Sequence, residues 1–500
     1  MKTLYRASRV HTLLGGGEWV LVDERHVERV GSGEPPSADE VVDLPGTTIM
    51  PGFIDAHVHL AGTGLALDGP PIGEVTTREE LLNVLRDHLA KHPGRLMTAG
   101  MDESGWRRPE LPTIADLDGL STEPLVVTRV DGYVSVANSA ALAVSRAFDP
   151  PGAERAADGN LTGVLRGEAN SHMQRWIRSS MTDLEVRDAQ LAAGRLAASR
   201  GVTCVQEMSM PDKHGIRDGE ILLATLDDHA VTVIPYIAVQ DVAYVIGRGL
   251  PRIGGDLFLD GSLGARTAAL LEPYADGSES GPLAHDDDTM AEFLHNAHLA
   301  GLQVGLHAIG DGAIEQALRV WERVYRSLDS RSRRHFRARR HRIEHFEMAD
   351  RSRVERAGAL GLAVSIQPAF DAAWGRSGGM YEDRVGPERA GRMNPFRTMI
   401  DRGLEVGAGS DSPVTDLDPM LGMWALESHH DPGQRLGRDQ ALHLFTLGAA
   451  RIAHQDKRGR LEPGMAADLA AYDTDPMSVP DVRGLRPVLT VAAGKRAHPA

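Results

Sequence analysis

The segment Pro51-Gly-Phe-Ile-Asp-Ala-His-Val-His-Leu60 places two histidines, His57 and His59, at the end of an apolar run made by Thr48, Ile49, Met50, Phe53 and Ile54. Side chains two apart on a β-strand share a face, so a strand here aims both imidazoles the same way. Such a pair can hold one metal ion from two directions. Standing alone it reads more simply as two core histidines satisfied by hydrogen bonds. What changes that reading lies further along the chain.

Downstream, short apolar runs alternate with helical stretches. Strand candidates are 202–207, 231–239, 256–260, 303–307, 341–346, 362–367 and 405–411. Helical periodicity covers 289–300 and 312–325. With 54–59 these make eight βα units, which predicts an α/β fold built on a (β/α)8 TIM-like barrel. In such barrels chemistry sits at the C-terminal ends of the strands. His57, His59, His307, His345 and Asp411 all fall there. Residues 61–195 interrupt the pattern after the first strand and read as a large insertion covering the site. The two ends, 1–50 and 455–500, consist of short β runs and turns, and read as one small β-sandwich domain flanking a barrel domain over 51–454.

Composition sets outer limits. The chain has 500 residues, 42% hydrophobic and 25% charged, with a formal net charge of −16. That charge argues against nucleic acid or an anionic membrane as partner, leaving a small-molecule substrate. The residues leave the oligomeric state open, with a homodimer as one candidate. Cys204 is the single cysteine and reads as a small buried strand residue. No segment approaches the roughly 18–20 apolar residues needed to span a bilayer, and the first residues lack the apolar core of a signal peptide. A cytoplasmic location is the expectation.

Three histidines and an aspartate suit zinc and related divalent ions, and a held ion acidifies a bound water. Most of the 21 histidines cannot be ligands. His88, His92, His335, His429, His430 and His454 lie in polar or loop contexts and read as surface residues. Glu344 and Glu347 flank His345 as orienting groups or exposed acids. Gly310-Asp-Gly312 reads as a turn, and the arginine-rich run 331–342 as a solvated helix end.

These strings together with Asp260-Gly-Ser-Leu-Gly-Ala-Arg-Thr-Ala268, Leu306-His-Ala-Ile-Gly-Asp311, Arg342-Ile-Glu-His345, Gly409-Ser-Asp-Ser-Pro413 and Gly459-Arg-Leu-Glu-Pro-Gly-Met-Ala-Ala-Asp-Leu469 resemble the amidohydrolase superfamily, in particular amidohydrolase family 3, which includes N-substituted formamide deformylases. The resemblance covers nearly the whole chain. It implies His57, His59, His307, His345 and Asp411 as metal ligands or immediate catalytic partners, and one or two divalent ions. Many members carry a carboxylated lysine on the fourth strand that bridges two ions. Here that position is Asp256, a shorter side chain, which favours one ion; Glu168 is a second candidate replacement. The activity implied is hydrolysis of a non-peptide amide or formamide, with Asp411 moving the proton and His345 stabilising the oxyanion. Arg266 is a candidate for an anionic substrate group, with a structural salt bridge as the equal alternative. Deamination of a ring or amidine is the rival chemistry, and a non-catalytic binding protein the rival class.

Overall fold

The computed structural model describes residues 1–499. Eight parallel strand segments form its centre: β1 (Phe53–Val58), β2 (Val202–Ser209), β3 (Thr232–Ile237), β4 (Arg252–Ile253), β5 (Gln303–Ala308), β6 (Arg342–His345), β7 (Ala363–Ile366) and β8 (Glu405–Ala408). They lie in two sheets, one of order β3-β2-β1 and one running from β4 to β8 in sequence order. Backbone hydrogen bonds connect the sheet edges. Gly254 N donates to Ile237 O at 2.9 Å, and Asp411 N donates to His57 O at 2.8 Å. Every residue of β1 and β2 is buried, as expected for parallel strands covered on both faces. Helices fill the crossovers, including Asp287–Leu299 and Asp311–Ser327. The first of these is capped by Asp286, whose carboxylate accepts from Asp288 N and Thr289 N.

The fourth strand is shorter and earlier than the apolar pattern suggested. It spans two residues and is followed by Gly254 and Gly255 at φ +84° and +83°, a backbone conformation that ends the ladder. Residues 256–260 still lie along β5, with His307 N donating to Leu257 O and Leu259 N to His307 O, both at 3.0 Å. That irregular run carries Asp256 to the strand ends.

The two termini come together in one seven-stranded mixed sheet. The strand Glu40–Pro51 pairs with Lys2–His11 on one side and Leu469–Tyr472 on the other. It then runs directly into β1, so the terminal sheet and the first histidine strand share one stretch of backbone.

Between β1 and β2 the insertion folds around its own five-stranded sheet, with strands Leu96–Met101, Leu125–Arg129, Val134–Ala137, Leu161–Arg166 and Ala153–Arg155 in that spatial order. It has its own apolar cores, one centred on Leu81, Trp106 and Val127. Its first helix, Leu60–Leu67, packs against Asp183–Ser199 so closely that a Cβ on Gly64 would overlap the carbonyl of Ala189. Gly64→Ala must push these helices apart. We expect it to cost roughly 1–3 kcal/mol, read as a lowered thermal midpoint; an unchanged midpoint would show that the helices separate freely.

Candidate metal centre

Six side chains converge at the C-terminal ends of the parallel strands. His57 and His59 leave β1 on one face. Asp256 arrives on the run after β4, His307 from β5, His345 from β6 and Asp411 from the turn after β8. All six are buried. Asp55 ties the first histidine to the last aspartate, since its Oδ1 accepts from both His57 N and Ser410 N at 3.0 Å. Gly409 has to be glycine, because a Cβ there would lie 2.5 Å from His57 N. His345 and Asp411 adopt φ of +70° and +56°. Non-glycine residues hold that conformation only where the surroundings impose it, most often at functional sites.

The histidines are held by acceptors on their outer nitrogens. His57 Nδ1 lies 3.1 Å from Glu344 Oε2, His59 Nδ1 2.7 Å from the carbonyl of Met208, and His345 Nδ1 2.7 Å from Gln367 Oε1. A carbonyl or carboxylate oxygen only accepts, so each Nδ1 carries the proton. In its neutral form each ring would then turn a lone pair on Nε2 inward. What those lone pairs face is more acceptors. His59 Nε2 is 2.9 Å from Asp411 Oδ1 and 3.3 Å from Asp256 Oδ2. His57 Nε2 is 3.4 Å from Asp256 Oδ2 and 3.5 Å from Asp411 Oδ1. His345 Nε2 is 3.6 Å from Asp256 Oδ1. Acceptor against acceptor in a buried site needs positive charge between them. The electrostatics say the same. Burial opposes charge on His59, yet the bonds to Asp256 and Asp411 outweigh it and push the imidazole up to about 10. Burial likewise opposes charge on Asp256, but His57 and the other histidines hold it well below the usual carboxylate range.

Asp256 sits between two pairs. Its Oδ2 faces His57 and His59, and its Oδ1 faces His345 and His307 Nδ1, the latter at 3.4 Å. The shortness of aspartate therefore does not keep it from touching both sides: the glycine-rich turn after β4 moves its backbone inward. Glu168 lies on an exposed helix start and is not a replacement ligand. Arg266 does not line the cavity; its guanidinium pairs with Asp276 at 2.6 Å at the surface. The salt-bridge reading holds for it, and the substrate-binding one is corrected.

The cavity above the cluster has a volume of about 160 Å³. His59, Asp256, His307, His345 and Asp411 form its floor. The insertion supplies much of the rest, including Met97, Arg129, Tyr133, Gln174, Ile177 and Arg178. Beneath the cluster, Arg342 donates to Ala56 O at 2.9 Å, Tyr236 Oη at 3.0 Å and Glu344 Oε2 at 2.7 Å, and also to Gln206. Burial opposes the charge on Glu344, and Arg342 together with His57 outweighs it, holding the carboxyl below its ordinary range. Sequence reading singled out Glu344 only as a neighbour of His345. Gln367, Asp260 and Tyr133 it missed. Asp260 pins the site's edge, accepting from Ala269 N, Ile309 N and Gly310 N at 2.9–3.1 Å. Its place at the head of the Asp260–Ala268 string was the one available signal.

Two other expectations need revision or gain support. His429 is not at the surface; it is fully buried, with Nε2 at 2.9 Å from Asn394 O and Nδ1 accepting from Asp431 N. With His430 and Asp371 it forms a second cluster of ligand-type groups, but both His429 nitrogens are taken by backbone, so the group is a structural tie. Cys204 is buried in β2, and burial pushes its thiol up to about 12, which makes it unreactive.

Parallel strands whose ends gather histidines and aspartates around one electronegative point define a metal-dependent hydrolase. The amidohydrolase family model matches residues 40–498, and the chain belongs to that family. It is 28% identical to the putative amidohydrolase YtcJ of Bacillus subtilis (strain 168) over 96% of each chain. It is 25% identical to the N-substituted formamide deformylase of Arthrobacter pascens, over 93% of this chain and 90% of that one. The crystal structure of an uncharacterized metal-dependent hydrolase from Pyrococcus horikoshii matches with a TM-score of 0.77 at 26% identity, covering 96% of this chain and 99% of that one. The protein is accordingly a hydrolase acting on carbon–nitrogen bonds. Among the described residues no helix is long and apolar enough to cross a membrane.

Proposed function

We propose that this enzyme hydrolyses a non-peptide amide or formamide, with zinc as its ion and the two parallel sheets as halves of one (β/α)8 barrel. The observation that carries the reading is the set of three inward Nε2 atoms crowded against two carboxylates while each ring's Nδ1 already donates outward. His57, His59, Asp411 and Asp256 Oδ2 would hold one ion. Asp256 Oδ1, His307 and His345 would hold a second. Bound there, a divalent ion lowers the pKa of water and polarises a carbonyl.

The chain's own groups do the rest. Asp411 accepts the proton of the attacking water and returns it to the departing nitrogen. Its carboxylate suits that role because burial, which opposes its charge, is outweighed by His57 and His59, so it stays ionised. Glu344, Met208 O and Gln367 fix the rings, a common use of partners behind a metal's ligands. Because Gln367 Oε1 accepts a hydrogen bond from Nδ1 of His345, the neutral ring offers a lone pair inward and acts as a ligand; in that state it cannot donate to an oxyanion.

Metal analysis of the purified protein, with formate, carboxylate and ammonia release measured over a panel of amides and heterocycles before and after chelation, tests this. Loss of all activity on chelation and recovery with zinc is expected. Release of ammonia from rings alone would shift the assignment to a deaminase, and metal-free activity would reject it. Asp256→Asn should lower the bound ions from two per chain to one. A wild-type content of one would remove the bridging role and leave the hydrolase reading standing.

A further inference from the structure

One cation that lines the cavity has no anion of its own. Lys213 sits on the short helix Pro211–His214 that follows β2, and its side chain lines the cavity over the metal cluster. It is closely surrounded yet only half-buried, so it keeps accessible surface beside that cavity. Two aromatic faces steady the ammonium, with Nζ 3.7 Å from the Tyr133 ring centroid and 4.6 Å from that of Phe258. Such faces attract a cation without neutralising it. Among the described residues Lys213 makes no ion pair and no hydrogen bond.

The other cations on this wall are committed. Arg129 pairs with Asp102, Glu103 and Asp131. Arg178 pairs with Asp218 through Nε at 3.2 Å, and its Nη1 has the sulfur of Met181 at 4.0 Å. The local field is positive: burial, and then the charges of Arg178, His59 and Lys213, push His214 far below its ordinary value, so that cavity-lining ring stays neutral. The carboxylates that act on Lys213 are Asp256, Asp131 and Asp411. Burial pulls the ammonium down to about 8 against them, which leaves it charged at neutral pH. None of the three is free to serve as its counter-ion. Asp131 is bound to Arg129 and accepts from Ser262 Oγ at 2.7 Å. Asp256 and Asp411 face the histidines and, with ions bound, spend their charge on them. A cation held away from bulk water without a counter-ion is costly, and an anion carried by the substrate removes that cost. Arg266 is spent on Asp276 at the surface; Lys213 is the uncommitted cation that faces the cavity.

We propose that Lys213 binds a carboxylate of the substrate, which makes the preferred substrate a small N-acyl amino acid that presents its amide to the metal centre. This rests on the amide-hydrolase reading of the same site and adds a substrate class to it. A hydrogen bond to a charged group is worth about 10–100-fold in binding.

The test uses matched pairs that differ only at the charged end, with the zinc-loaded full chain. N-formylalanine and its carboxamide, as both enantiomers, report turnover through formate release. N-methylsulfonylalanine and its carboxamide, which the reaction does not cleave, report binding by calorimetry. Wild type should favour the acid of each pair by about tenfold or more, in kcat/KM and in Kd. Lys213→Met keeps the stem against the rings and removes the charge. It should erase that preference by weakening the acids alone, with the carboxamides within about threefold of wild type and the melting midpoint not lowered. Lys213→Arg should retain part of the preference. Should Lys213→Met fail to fold, Lys213→Gln takes its place. Equal treatment of acid and carboxamide by wild type overturns the proposal without any variant. So does a preference that survives the loss of the ammonium, which would place the anion on Arg178 or on the ions. If wild type cleaves no amide, the hydrolase reading fails, and the sulfonyl pair alone decides whether Lys213 holds an anion.

Discussion

Replacing Asp411 with asparagine is expected to reduce kcat by about 10²–10⁴-fold while leaving the fold and its melting transition in place. The carboxylate lies within 3.5 Å of both β1 histidines, and its Oδ1 has no hydrogen-bond donor in the protein. An amide at this position keeps the shape and loses both the charge and the capacity to accept a proton from water. The turn itself would survive, because it is held by backbone: Asp411 N to His57 O, and Ser410 N to Asp55. Steady-state kinetics on a cleaved panel amide, with a circular-dichroism melt and a metal count on the same sample, check this. Normal turnover in Asp411→Asn would mean that another group moves the proton, and the assignment would fall.

The second large effect concerns stability. Arg342 is fully buried and ties four of the parallel strands together: Ala56 on β1, Gln206 on β2, Tyr236 on β3 and Glu344 on its own β6. Arg342→Met keeps most of the volume and removes every donor. Glu344 is then left charged in the interior with only the His57 hydrogen bond, and losing the cationic partner of a buried pair costs about 3–5 kcal/mol. Glu344 also orients His57, so zinc affinity should drop along with the melting midpoint. The double variant Arg342→Met, Glu344→Leu should recover part of the stability, since it removes the stranded charge, and should not recover zinc affinity. A single variant that melts like wild type would show that water reaches the carboxylate and that the network carries little.

Much of the site was legible because its parts are local. Two histidines two residues apart announce a shared face, and Gly409-Ser-Asp411 announces a tight turn carrying a carboxylate. The alternation of apolar runs with helical periodicity located most of the parallel strands near their observed spans. The weak place was β4. Its apolar run, 256–260, is not a regular strand, because Gly254 and Gly255 take left-handed conformations that composition does not reveal. The same displacement is what let Asp256 reach both pairs of histidines, against the estimate made from side-chain length. His429 was misjudged for a related reason: a polar neighbourhood along the chain says little about burial when the polar groups are satisfied by distant backbone such as Asn394 O.

What the residues decided unaided was the kind of chemistry, because ligand type and strand-end position follow from identity and periodicity alone. Which nitrogen of each ring faces inward, which arginine is spent at the surface and which tyrosine stands over the cavity were settled only in three dimensions. Those properties belong to contacts between positions far apart in the chain, such as His57 with Glu344 or Tyr133 with the cavity over His307. No local pattern encodes such meetings; they exist only once burial has forced every buried donor and acceptor to find, or to lack, a partner.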